Sequence, residues 1–440
     1  MNLKIRSLNN ATTLISDNRT SILIDPWIIG DLYYGSWSPT STPKDLNFLK
    51  EVTHILISHL HEDHWDFETL KLVNKDVKIF IPEMKMNKVI ERGLDKLGLK
   101  SKMLPLNTSY NLNEDFKIEF LEPLNALALS ENYIKGYERD VTNIDTAILV
   151  NHNKTNSDHL LLCDNSPYDI EKLKLLLRNR KITTLFYPFN GFAQDYPLCF
   201  ENFSIEERAN ISEGLSIERE NFLIETLKTL KPKFIFPHSS DFIQNGPYKD
   251  LFNKIHPEEF LKRDLYASRV QKIIQKNNLN IKSLYLDSSD EAYLNNNLKI
   301  DLKKNKYETS SKRASVNLDL PSQYSENNEK IQVLVEKSLE KMFKRLNDYN
   351  LNLAKLDEWI LEIKLEKNIF LIDFETKKLT SKKNNQKKIL TLKTESLILK
   401  NLLTRKMHWN NAQIGSFLNW ERSPNVFCAS LYKSLNFFHI

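Results

Sequence analysis

Three histidines, a glutamate and an aspartate fall within six residues, His59-Leu60-His61-Glu62-Asp63-His64. Imidazole nitrogens and carboxylate oxygens are the donors that zinc, iron and manganese take. His59 and His61, two apart in a turning backbone, can converge on one ion. Asp63 and His64 come one turn later and can serve a second. Two distant residues complete the candidate set: Asp164 and His238, each at the end of an expected strand. Taken singly, these two read as a capping aspartate and a surface histidine. Their matching strand-end positions, together with the hexapeptide, favour ligation. Two ions sharing a hydroxide give a nucleophile at neutral pH and a Lewis acid for the scissile group. Asp63 is then placed to orient or deprotonate that water, which makes it the candidate catalytic residue.

The elements that must position these side chains are legible around them. The apolar run 52–58 predicts a buried strand, and Asp66 predicts the N-cap of a helix. The hexapeptide therefore lies where a strand ends and a helix begins, as active sites in α/β folds do. Three short strands are expected in residues 1–25, the last ending at Asp25-Pro26-Trp27 because proline cannot continue sheet pairing. The loop to Thr42 carries Tyr33, Tyr34 and Trp37, either as a pocket wall or as packing on the core. Strands are expected at 77–81, 101–104, 116–121, 146–150, 159–163, 184–187, 233–236 and 281–286. Helices are expected at about 83–97, 170–177, 217–230 and 266–275. Strands first and then alternating strands and helices, in each half, fit two mixed sheets with helices outside them, an αββα sandwich. This catalytic domain is expected over residues 1–290. Residues 291–328 are rich in Asn, Lys and Ser and read as a linker. An amphipathic helix at 331–349 opens a small α+β domain over 329–440.

Composition narrows the function classes. The chain has 440 residues, 41% hydrophobic and 27% charged, with a net charge of +5, which is ordinary for a globular protein and argues against nucleic acid as a partner. Lys-rich stretches such as Lys303-Lys304-Asn305-Lys306 read as solvated surface. Three separated cysteines give no disulfide framework or cysteine zinc site and suit a cytoplasmic location. The first residues alternate as a strand rather than a signal peptide, and no apolar run approaches the roughly 18 residues of a membrane span. His54, His256, His408 and His439 read as structural, and Cys163 as a small core residue.

The pattern His59-x-His61-x-Asp63-His64 after an apolar strand, with Asp164 and His238, resembles the metallo-β-lactamase superfamily over about residues 1–245. The resemblance implies the α/β, αββα fold with a mono- or dinuclear site at its edge. Asp25-Pro26-Trp27 looks like the branch of ascorbate-phosphate lactonase-type and phospholipase D-type hydrolases. A nearer likeness is to the catalytic region of the CMP-N-acetylneuraminate hydroxylase family. It is carried by Asp25-Pro26-Trp27, Ile57 to His64, Asp145-Thr146-Ala147-Ile148 and Phe189-Asn190-Gly191-Phe192. Trp409 to Gly415 and Arg422-Ser423-Pro424-Asn425 are similar to that family's tail, and the carboxy-terminal domain also has a sterol-carrier-like look. Two departures stand out. The paired Cys-x-His of a Rieske iron-sulfur domain are not in this chain. The histidine that most superfamily hydrolases carry before the Asp164 position is missing too. Asp140 or His152 substitutes for it, or His59, His61, Asp164 and water hold the first ion. The expectation is a metal-dependent hydrolase of a phosphoester, lactone or amide in a small molecule, with one or two zinc ions, or iron or manganese. The alternative is an iron-dependent oxygenase component acting on a nucleotide-activated or amino sugar with a separate electron-transfer protein.

Overall fold

The structure, a computed structural model, describes residues 2–123, 144–163, 168–178, 180–188, 196–239, 242–256, 262–305, 330–348, 356–366, 368–384 and 386–440. The chain opens with β1 (Leu3–Asn9), β2 (Thr12–Ser16), β3 (Ser21–Ile24), β4 (Trp37–Pro39), β5 (His54–Leu56) and α1 (Phe67–Leu70). Next come β6 (Lys78–Pro82), α2 (Lys88–Lys96), β7 (Ser101–Leu104), β8 (Tyr110–Asn111), β9 (Phe116–Leu121), β10 (Ala147–His152) and β11 (Ser157–Leu162). After them run α3 (Ile170–Leu176), β12 (Ile182–Pro188), α4 (Ile205–Leu230), β13 (Phe234–His238), β14 (Phe242–Gln244) and α5 (Lys249–Ile255). The amino-terminal part closes with α6 (Arg263–Lys276), β15 (Lys282–Ser283), β16 (Glu291–Leu294) and β17 (Ile300–Lys303).

Among the described residues these strands make two large sheets, in the orders β17-β16-β1-β2-β3-β5-β6-β7 and β15-β13-β12-β11-β10-β9-β8. The pleat explains why the strands read as continuous apolar runs. Ile22 and Ile24 point between the sheets, while Leu23 points outward. Between the sheets Ile5, Ile15, Ile24 and Phe80 meet Phe120, Ile148, Leu161, Phe186 and Phe236. Outside the first sheet Leu70, Ile90 and Leu94 of α1 and α2 cover Leu23, Ile55 and Ile79. Outside the second, Leu173, Leu227 and Val270 of α3, α4 and α6 cover Leu149, Leu185 and Ile235. The expected αββα sandwich is the fold.

Three expectations are corrected. The stretch expected as linker from 291 begins instead with β16 and β17, which extend the first sheet; Leu3 pairs with Leu294 and Ile5 with Ala292. Ala292 and Leu294 alternate inward with Glu291 and Tyr293 outward, a strand signal masked by the polar composition around it. The remainder of that stretch, 306–329, lies outside the described residues. Helix α4 starts at Ile205, not 217, because Ser204 and Glu207 form a reciprocal capping box. Strand β15 is only Lys282–Ser283, shorter than the expected 281–286.

The carboxy-terminal part contains α7 (Ile331–Asp348), β18 (Trp359–Lys364), β19 (Ile369–Asp373), β20 (Lys378–Thr380) and β21 (Lys388–Lys393). It ends with α8 (Ser396–Leu403), α9 (Trp409–Ile414), β22 (Asn419–Ser423) and α10 (Ala429–Leu435). Its sheet runs β20-β19-β18-β21-β22. It shares one apolar core with the sandwich: Trp27, Tyr33, Trp37, Tyr196 and Phe200 pack in the same cluster as Trp359, Leu399, Trp409 and Trp420. Tyr33 and Trp37 are therefore core residues; Trp37 stacks on Phe242 at 3.7 Å where β4 pairs with β14. No helix among the described residues is long and apolar enough to cross a membrane.

Candidate metal centre

The site is built at the carboxyl ends of β3 and β5, which run parallel with Ile24 opposite Leu56. At the end of β3 the backbone of Asp25 turns left-handed, with φ 48°. Aspartate tolerates this better than most residues. The turn brings its buried carboxylate beneath the strand that follows. Asp25 Oδ1 accepts the Ser58 amide at 2.7 Å, and Oδ2 accepts the Ser58 hydroxyl at 2.7 Å. Ser58 has one hydroxyl hydrogen, and Asp25 takes it. His59 Nδ1, 2.9 Å from Ser58 Oγ, must then be the donor in that contact. The Nε2 lone pair of His59 is left facing His61 Nδ1 at 2.9 Å. The chain Asp25–Ser58–His59 thus sets both the tautomer and the orientation of the first imidazole, as the outer partners of metal-bound histidines do.

Among the described residues, the group whose donor atoms lie together is His59, His61 and Asp145, with those atoms all within 4.8 Å of one another. Asp145 precedes β10 and is held against the hexapeptide strand by its neighbours. Thr146 Oγ1 donates to the Ser58 carbonyl at 2.7 Å, and Tyr168 Oη donates to the Asp145 carbonyl at 2.6 Å. Asp145 was not a candidate on its residue type; nothing local marks it, although it heads the segment Asp145-Thr146-Ala147-Ile148. Two imidazoles and one carboxylate, largely buried, are a donor set that fits zinc or iron.

The other candidates sit around this group in protein hydrogen bonds. His64 lies between two carboxylates, with Nδ1 2.8 Å from Asp25 Oδ2 and Nε2 3.4 Å from Asp63 Oδ2. Burial opposes a charge on His64, but Asp63 and Asp25 outweigh it and hold its pKa well above the usual imidazole range. Asp63 accepts Tyr33 Oη on Oδ1 at 2.6 Å and Asn10 Nδ2 on Oδ2 at 2.8 Å. Its oxygens are thus gripped by protein donors, an orienting arrangement more than that of an open base. His238, at the end of β13, gives Nε2 to the Ala11 carbonyl at 2.7 Å and has Nδ1 3.2 Å from Ser239 Oγ. Burial holds its pKa down to about 4. Asp164, Asp140 and the Phe189-Asn190-Gly191-Phe192 loop lie outside the described residues. His152 cannot stand in for a missing ligand. It ends β10, seven residues beyond Asp145, or roughly 20 Å along an extended strand. There it contacts Thr155 and Asp17.

The turn that carries the hexapeptide is braced from below. Asp66 caps α1 by accepting the amides of Glu68 and Thr69, as expected. It also accepts the Gly30 amide at 3.2 Å. A Cβ at position 30 would lie 2.3 Å from Asp66 Oδ1, so only glycine fits there. Glu62 accepts the Tyr33 amide at 3.1 Å and the Asn411 side-chain amide, and burial pushes its carboxyl pKa up.

Residues 4–158 match the family described as the beta-lactamase superfamily domain. Over 99 residues the chain is 36% identical to a putative Rieske 2Fe-2S iron-sulfur protein of Mycolicibacterium smegmatis, covering 22% of this chain and 19% of that protein. Over 236 residues it is 22% identical to the cytidine monophosphate-N-acetylneuraminic acid hydroxylase of Danio rerio, covering 51% of this chain and 36% of the relative. The chain therefore spans about a fifth to a third of the length of these curated relatives. Among solved structures, a metallo hydrolase of Ignicoccus hospitalis aligns with a TM-score of 0.42 at 13% identity, over 70% of this chain and 100% of that one. The diiron β-hydroxylase CmlA of Streptomyces venezuelae aligns with a TM-score of 0.42 at 14% identity, over 67% and 54%. The hexapeptide, Asp25 and Asp145 all lie inside the stretch, residues 4–158, that matches the beta-lactamase superfamily domain.

Proposed function

We propose that this chain is a metal-dependent hydrolase acting on a phosphoester, lactone or amide bond of a small molecule. The observation that carries the reading is the convergence of His59, His61 and Asp145 at the edge of the sandwich. A zinc, iron or manganese ion held there would supply Lewis acidity and lower the pKa of a water it binds. The chain's own residues do the rest. Asp25 and Ser58 fix the His59 ring with Nε2 as the lone-pair atom. Tyr33 and Asn10 fix Asp63, which in turn sets the position of the His64 proton at Nε2. His64 and His238 stand as candidate ligands of a second ion, each after release of a protein hydrogen bond; Asp164 stands with them on sequence grounds.

A second reading has its own support. Two histidines and one carboxylate are also the donor set of non-haem iron oxygenases. The hydroxylases and Rieske proteins that share segments with this chain point the same way. In that case we assign electron delivery to a separate electron-transfer protein, since no cysteine of this sequence lies within two residues of a histidine.

One experiment separates the readings. The protein is purified anaerobically, its metal measured, and its activity assayed on phosphoester, lactone and amide panels and by oxygen uptake with ferredoxin and its reductase. Hydrolysis that disappears in His61→Ala supports the first reading. Iron content with reductase-dependent oxygen uptake and no hydrolysis replaces it with the second. Metal content unchanged in His61→Ala overturns both.

A further inference from the structure

We propose that Asn411, in the carboxy-terminal part of the chain, is a positioning residue for the metal-site turn and acts through Glu62. This rests on the metal-centre reading above, and goes beyond it by making the carboxy-terminal part a working component of the site.

The geometry runs through the loop at residues 32–38, which is enclosed between the hexapeptide and the segment 408–417. From the carboxy-terminal side, the His408 amide donates to Tyr34 Oη at 2.7 Å. Ser36 Oγ donates to the Gly415 carbonyl at 2.8 Å. A Cβ at Gly415 would meet the Tyr33 carbonyl at 3.0 Å, which measures how closely the two backbones approach. Phe417 sets its edge on Tyr34 at 6.1 Å. Asn411 reaches past this loop to Glu62 Oε1 with its side-chain amide. The other oxygen of Glu62 accepts the Tyr33 amide at 3.1 Å, and the Tyr33 hydroxyl closes on Asp63 Oδ1 at 2.6 Å.

Glu62 sits directly between a candidate ligand, His61, and the clamped Asp63, in the short turn Glu62–His64. The His61 backbone is extended, with φ −67° and ψ 143°, so the direction of its ring depends on where the turn after it is anchored. The Glu62 carboxylate is one anchor of that turn, beside Asp63 and Asp66, and is held by one group from the sandwich and one from 349 residues further along the chain. Sites of this kind tolerate displacements of only about 0.5 Å. A carboxylate released on one side lets the turn shift by more than that.

The test exploits the chemistry of the pair. Asn411→Asp places two carboxylates face to face and removes the donor. In the double variant Glu62→Gln/Asn411→Asp, the new side-chain amide at 62 donates to the new carboxylate, while its oxygen still accepts the Tyr33 amide. Three readouts are taken on the full chain: cobalt(II) affinity by chelator competition, the cobalt(II) visible spectrum, and hydrogen exchange of the amides at 62–66. The proposal expects Asn411→Asp to weaken cobalt binding by about 10- to 100-fold, the range typical of lost outer partners. It also expects an altered spectrum and faster exchange at 62–66, with thermal unfolding still a single transition. The double variant should return all three to near the parent values. Parent-like affinity, spectrum and exchange in Asn411→Asp, or no recovery in the double variant, overturns the proposal. If the parent protein binds no cobalt, the metal-centre reading fails, and the exchange data alone still decide whether Asn411 positions the turn.

Discussion

Asp25 holds Ser58 twice, its Oδ1 on the backbone amide and its Oδ2 on the hydroxyl, both at 2.7 Å. The same Oδ2 faces His64 Nδ1 at 2.8 Å. One fully buried carboxylate therefore positions a candidate ligand through a serine and stabilises the charge on a second imidazole. Asp25→Ala leaves a buried charged histidine without its nearest counter-charge. The expected cost is roughly 3–5 kcal/mol, the range for breaking a buried pair. Urea unfolding of the metal-free protein measures it, and an unchanged midpoint would remove Asp25 from this role.

Asp145→Asn should deprive the site of its carboxylate while keeping the side-chain shape. Metal affinity is expected to fall by more than the roughly 100-fold upper range for loss of an outer partner. His152→Ala, at the far end of β10, should leave metal content intact. Competition against a chelator of known affinity reads both, and the reverse order of effects would place the third ligand elsewhere.

Two buried histidines outside the site make stability depend on pH. Burial lowers His159, which contacts Ser157 and Thr184, to about 3, and lowers His256, which contacts Ser212, to about 3. Both folded values lie below the unfolded value near 6.5. Below pH 6.5 the unfolded chain binds protons that the folded chain refuses. Stability is thus fully present above pH 6.5 and is lost as pH falls toward 3. Each histidine adds about 1.4 kcal/mol per pH unit to that slope. His159→Gln should flatten the dependence by one such increment between pH 6 and 4, as measured by urea midpoints at fixed ionic strength.

The shared apolar cluster predicts that the two parts of the chain unfold together. Trp420 is fully buried beside residues contributed by the sandwich. Trp420→Ala should cost about 3–5 kcal/mol. It should also move the far-ultraviolet and tryptophan-fluorescence transitions by the same amount. Separate transitions would show two independent units.

Much of the sandwich was readable because its strands are apolar on both faces and its helices are bounded by cap residues such as Asp66. The hexapeptide was readable because the clustering of ligand types is local. Asp145 was not: its approach to His59 is made by the register of β10 between β9 and β11 and by the hold of Thr146 on Ser58, neither of which leaves a mark in nearby sequence. The bracing of Glu62 was hidden for the same reason, since its partner lies 349 residues away. Tyr33 could not be assigned to core or pocket from a loop composition alone. It does both kinds of work, its ring packing in the core and its hydroxyl meeting Asp63.

The strand pair β16–β17 has a consequence for how this protein is made. Strand β1 is synthesised nearly 300 residues before its outer neighbour, β16. Until that neighbour is synthesised, one edge of the first sheet stays open, with its amide and carbonyl groups exposed to other nascent chains. The hexapeptide turn waits longer still, for residue 411. A chain arrested between residues 238 and 411 carries every candidate ligand but lacks the hold of Asn411 on Glu62.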